Sequence, residues 1–282
     1  VFSISALFEC QGRSPRKLVT AGVIGAVCVL GLLGAGCTNA FSEMANKTSD
    51  AALLYAAQMS IDKGDYAAAI ESIGLMSAKG QTNHTVRSTL ASAYAGRCGL
   101  NLLSLAQDIS NLSSRTLFEM LMYSFKGADA NDVADCQAAE TQLLAISSPS
   151  NDEYVQLAFV ELAKVGAILA AKADSDHDGT PGPGFNSCDS NTISDALVAD
   201  VGTGITIAVA SLAGTGVGTS ATAPISAICD SIDSALHTTG FCDQTSATDF
   251  DPTELLALRS LIKANEIGLK TCNNTVSNCP CP

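Results

Sequence analysis

Leu18 to Leu33 reads LVTAGVIGAVCVLGLL, without a charge, behind Arg13, Arg16 and Lys17 and ahead of Gly34, Ala35, Gly36 and Cys37. A basic start, a short apolar run and small residues at its exit are the parts of a secretory signal, whose peptidase accepts a narrow extended strand. Residues 38–49 are polar and small and read as a tether. From Ser49 onward, apolar positions recur at helical spacing. The stretch "SDAALLYAAQMSIDKGDYAAAIESIGLMSAKG" predicts two helices joined at Gly64-Asp65. Gly64 ends the first, and the Asp65 carboxylate caps the free N–H groups of the second. Further helices are predicted at 114–126, 131–146 and 152–173. A break at 174–190 is followed by Gly- and Thr-rich helical stretches at 192–213 and 220–238. A last helix begins in "DPTELLALRSLIKANEIGL", where Asp251 caps, Pro252 takes the first turn and Glu254 bonds back. The uncharged run from Val201 to Cys229 is interrupted by Gly202, Gly204, Gly214, Gly216 and Gly218, which favours a buried helix pair over a membrane span. The pattern therefore predicts an all-α fold of helical hairpins with one irregular acidic loop in the middle.

Two resemblances sharpen this outline. Leu33-Gly34-Ala35-Gly36-Cys37 resembles the lipobox of bacterial lipoproteins, with its Leu one residue early. The resemblance implies that Cys37 receives a diacylglycerol on sulfur, becomes the first mature residue and is then acylated on its new amino group. Several acyl chains anchor firmly, at about 0.8 kcal/mol per buried CH₂. Thr38 rather than Asp follows the cysteine, which in Gram-negative members implies sorting to the outer membrane. The second resemblance begins at Ser49. Ala56-Ala57 and Leu90-Ala91 stand one tetratricopeptide period of 34 residues apart. Gly64-Asp65-Tyr66, Ala69 and Ile70 in one unit, and Leu90, Ala91 and Tyr94 in the next, resemble that family. Leu100 to Ile109 lacks the small residue expected in the second helix of the second unit. Five regions follow: a signal at 1–36, a lipidated tether at 37–49, a helical-repeat-like region at 50–173, an acidic loop at 174–190, and a helical region with a disulfide-stapled tail at 191–282.

Composition narrows the function. Hydrophobic residues make up 47%, enough for a core, while the absence of Trp and only 5% aromatics favour close-packed helices. Net charge is −13, so the chain lacks the basic footprint that a nucleic-acid reader needs. Of eleven cysteines, Cys10 and Cys28 leave with the signal and Cys37 carries lipid. The remaining eight are Cys98, Cys136, Cys188, Cys229, Cys242, Cys272, Cys279 and Cys281, an even number that reads as disulfides in an exported chain. The local pairings are Cys98 with Cys136, Cys229 with Cys242, and Cys272 with Cys279 or Cys281.

The sharpest chemical signal is "DSDHDGTPGPG". Asp174, Asp176 and Asp178 alternate in a tight loop, Gly179 permits the bend, and Thr180 adds a carbonyl. Hard oxygen ligands at this spacing suit Ca²⁺ in a structural role. The loop is similar to the first half of an EF-hand, but Phe185 stands where the bidentate Glu belongs, and Asp189 is the candidate to close the shell. His84, His177 and His237 have no nucleophile at recognisable spacing, so no catalytic residue is expected. The expected function is a membrane-anchored periplasmic lipoprotein whose helices bind an envelope protein or peptide segment. A solute-binding component of a transport system and a calcium-stabilised surface lipoprotein are the alternatives.

Overall fold

The computed structural model describes residues 47–110, 114–215, 233–234 and 240–282. The expectations for the signal, Cys37, most of 220–238, Cys229 and His237 lie outside those residues. Residues 47–282 form one compact unit. Among the described residues there are ten α-helices and no strand. They are α1 (Asp50–Asp62), α2 (Tyr66–Gly74), α3 (Ala78–Gln81), α4 (His84–Arg97) and α5 (Leu102–Ser110), followed by α6 (Leu117–Ser124), α7 (Ala130–Leu144), α8 (Asn151–Ala173), α9 (Asp195–Gly214) and α10 (Pro252–Lys263).

The helix starts follow from short polar side chains that take up orphan amides. Asp65 accepts from the Ala68 amide at 3.1 Å, as its position after Gly64 predicts. Ser150 with Glu153, and Asp251 with Glu254, form reciprocal capping boxes at α8 and α10. The end of α10 departs from a simple continuation towards Leu269. The helix stops at Lys263, and the chain folds back over its own last turn. Leu269 donates to the Ile262 carbonyl at 2.7 Å and Cys272 to the Lys263 carbonyl at 2.8 Å, so the orphan acceptors of the helix end are satisfied internally. Gly268 makes the fold-back possible. A Cβ there would lie 2.2 Å from the Leu261 oxygen and 2.6 Å from that of Ala264.

Packing runs in series: α1 on α2, α2 on α4, α4 on α7, α7 on α8 and α8 on α9. The second helix of the second repeat-like unit was expected at Leu100–Ile109. Instead α4 packs against α7, and α5 packs against α6. The Cys98–Cys136 disulfide ties the end of α4 to α7. A small core of Leu53, Ala57, Ala69, Ile73, Val86 and Ala93 fills the space between α1, α2 and α4. The main core gathers α6, α8, α9 and α10, including Phe118, Leu121, Ile168, Leu169, Val201 and Leu258. Fully burying a side chain such as Ile168 contributes about 1.5–3 kcal/mol.

At the centre lies α8, buried along most of its length from Leu157 to Ala173. By length and composition, α8 and α9 would each reach across a membrane, but 72% and 61% of those windows are buried inside the fold. Gly204 lets the two helices meet, since a Cβ there would sit 2.5 Å from Val165 Cγ2 and 3.2 Å from the Glu161 oxygen.

Candidate functional site

The break after α8 is an ordered turn built on Asp174. This residue caps α8 and is 1% exposed. Its Oδ1 accepts from the Asp178 amide at 3.0 Å, and its Oδ2 from the Gly179 amide at 2.9 Å. Gly179 takes a φ of +84°, with Tyr123 packed beneath it. The Asp178 carboxylate accepts from the Thr180 hydroxyl at 2.6 Å and from its amide at 2.7 Å, and these two bonds hold its pKa below the ordinary value. Ligand oxygens of Asp174, Asp176 and Asp178 all lie within 4.8 Å of one another. Thr180 reaches the cluster through Asp178. Asp189 does not belong to it; its Oδ1 accepts from the Asn191 amide and side chain, each at 2.8 Å. Phe185 packs against the main core. His177 is exposed with a φ of +60°, and His84 lies 3.8 Å from Glu153.

The exit of the loop is held by a buried arginine. Arg259 of α10 is 3% exposed. Its guanidinium donates to the Ser187 carbonyl at 2.6 Å, the Ile193 carbonyl at 2.9 Å and Asp195 at 2.6 Å. The Ser187 hydroxyl returns a bond to the Arg259 carbonyl at 2.7 Å. One cation thereby orders the loop exit and the start of α9. The signal for it was present in sequence: Arg259 is the lone charge on an apolar face with Leu255, Leu258 and Ile262.

A second polar centre lies between α7, α8 and α9. Glu161 and Lys164 are both 0% exposed. Lys164 Nζ lies 2.7 Å from Glu161 Oε2 and 2.7 Å from Glu140 Oε1. Glu161 Oε1 has no donor among the described residues. Burial, reinforced by Glu140 and opposed by Lys164, raises the Glu161 carboxyl pKa well above its ordinary value. Burial pulls Lys164 the other way, but its two carboxylates outweigh it and hold the ammonium pKa above the ordinary lysine value. On α9, Asp200 accepts from Gln137 at 2.7 Å, and burial raises its pKa as well.

The cysteines resolve the open pairings. Cys98 joins Cys136, Cys272 joins Cys279, and Cys188 joins Cys281 across 93 residues. Cys242 is disulfide-bonded, and its expected partner Cys229 lies outside the described residues. Between α7, α8 and α9 an open groove of about 520 Å³ is lined by Leu144, Tyr154, Leu157, Ile207, Ser211 and Thr245. Away from the groove's lining residues, Tyr55 of α1 and Leu75 beyond α2 are 60% and 69% exposed.

No family model, curated protein or solved structure matches this chain.

Proposed function

We propose that the protein is an exported, disulfide-stapled helical scaffold, held at a membrane by acyl lipid on Cys37 and presenting an apolar helix face to an envelope protein or peptide segment. The observation that carries this reading is the set of three disulfides, Cys98–Cys136, Cys188–Cys281 and Cys272–Cys279. Such bonds form and persist in oxidising compartments and are rare in the cytosol. The lipobox-like Leu33 to Cys37 supplies the anchor, and Thr38 supports sorting to the outer membrane.

The scaffold half of the reading draws on α1. Tyr55 and Met59 stand one helical turn apart on its outer face, 60% and 37% exposed. The groove between α7, α8 and α9 is less suited to a solute receptor, because its rim residue Leu144 is 54% exposed. A buried ligand site encloses most of its ligand. A calcium-stabilised surface lipoprotein is a second reading, compatible with the first. It is favoured by the convergence of Asp174, Asp176 and Asp178, whose oxygens match the ligand preference of Ca²⁺.

The test is crosslinking with mass spectrometry on intact cells, comparing the native protein with Cys37→Ala. The expected result is a membrane-bound, disulfide-bonded protein with specific neighbours through α1, and loss of both membrane fractionation and neighbours in the variant. A reduced protein in the cytosol, with or without the substitution, would overturn the reading.

A further inference from the structure

The Cys188–Cys281 disulfide differs in chemistry at its two ends. Lys263, the last residue of α10, donates from Nζ to Cys188 Sγ at 3.1 Å and to the Pro280 carbonyl at 3.1 Å. Among the described residues, Lys263 forms no ion pair with a carboxylate, and Cys281 Sγ receives no hydrogen bond. The ammonium therefore serves one sulfur of the pair. Both cysteines are half-exposed, whereas Cys98 and Cys136 are 1% and 0% exposed, and in the third pair Cys272 is half-exposed but its partner Cys279 is 3% exposed. Cys281 is flanked by the exposed Pro280 and Pro282.

The surroundings keep both cysteines in place once the bond opens. Cys188 follows Ser187, which Arg259 holds through its carbonyl and hydroxyl. The Cys281 amide donates to Ser260 Oγ at 2.9 Å on the same helix. Sulfur leaves a disulfide fastest as the thiolate of the more acidic thiol, and a neighbouring lysine lowers thiol pKa.

We propose that Cys188–Cys281 is a thiol-exchange site of fixed polarity, in which an incoming thiolate takes Cys281 and Cys188 departs against the Lys263 ammonium. The incoming sulfur forms a bond to Cys281 Sγ as the Cys188–Cys281 bond breaks. The electron pair leaves on Cys188 Sγ as a thiolate. A second thiolate then attacks the outer sulfur of the mixed disulfide and frees Cys281. Two thiols are oxidised to one disulfide, and the protein gains the two electrons. Cys281 is thus a modification site for small thiols or a thiol reductant. Opening it removes only the covalent tie between the C-terminal tail and the loop that carries Ser187, while the Arg259 bonds and the Cys281 amide bond to Ser260 remain.

The test uses the folded full chain, limiting glutathione, rapid alkylation and peptide mapping. Glutathione is expected on Cys281 and the alkyl group on Cys188, before Cys272–Cys279 opens. Lys263→Met is expected to bring the two adducts to parity and to slow the reaction, while Lys263→Arg keeps the preference. Circular dichroism establishes that each variant retains its helices, and native protein alone already tests the polarity. Glutathione mainly on Cys188, equal adducts in the native protein, an unchanged preference in Lys263→Met, or prior opening of Cys272–Cys279 would each overturn the proposal.

Discussion

Lys164 shows how one side chain holds together a polar centre that would otherwise oppose folding. It is 0% exposed, with Glu161 and Glu140 each 2.7 Å away. Removing one partner of a buried pair costs more than the pair itself contributes, because the remaining charge is left unsolvated. Lys164→Met is therefore expected to destabilise by about 3–5 kcal/mol near neutral pH, measured by urea denaturation. Glu161→Gln is milder, since Lys164 keeps Glu140. The two variants also separate by pH. The folded-state pKa of Glu161 lies above its ordinary value of 4.5. Its contribution is full below that value and is lost as pH rises through the raised folded value. Glu161→Gln removes this slope, while Asp200, raised in the same direction, retains its own. The expected outcome is that the stability of Glu161→Gln relative to the native protein improves from acid to neutral pH. Parallel curves would refute the assignment.

At the scale of elements, helix starts were legible where a cap is a local event. Asp65, and Asp251 with Glu254, announce a start within four residues, whereas the Ser150 cap of α8 was not read. Helix partnership was not legible. Nothing local to Leu102–Ser110 says that α4 will pass it over and pack on α7. The Asp174 turn was legible from alternation and Gly179, yet Asp189 falls outside the cluster because Asn191 turns its carboxylate into a loop brace. Cys188–Cys281 was hidden for a related reason: 93 residues separate its ends, and spacing alone favours near neighbours. The fold-back after α10 gives an element-scale prediction. Its residue Ile267 accepts from the Phe118 amide at 2.8 Å, and Gly268 accepts from the Thr116 hydroxyl, so it also closes the start of α6. A Cβ at Gly268 meets three backbone oxygens that cannot rotate away. Gly268→Ala is expected to cost about 1–3 kcal/mol or more, with faster amide exchange in α6. Gly184→Ala, where a Cβ meets nothing within 4 Å, serves as the neutral control. Equal stability of the two variants would sink this account.

For the whole molecule, charge decides what a cation would do. The chain carries −13, and three carboxylates converge where the two long buried helices join. Under the calcium reading proposed above, the ion relieves that repulsion and ties α8 to the loop leading into α9. Ligand binding to the native state alone stabilises by about 2.7 kcal/mol at a hundredfold excess over Kd. Thermal unfolding is therefore expected to shift upward with Ca²⁺ and less with Mg²⁺, which parts reluctantly with its water. Asp174 is a poor probe, because its oxygens also hold the Asp178 and Gly179 amides, and the loop would loosen without any ion. Asp176 is exposed and supplies only an oxygen to the cluster. Asp176→Ala is thus expected to leave the ion-free protein within about 0.5 kcal/mol of native while removing most of the calcium shift. A native protein indifferent to Ca²⁺, or an Asp176→Ala variant that responds in full, would leave the turn as a self-sufficient helix connector held by Asp174 and Arg259.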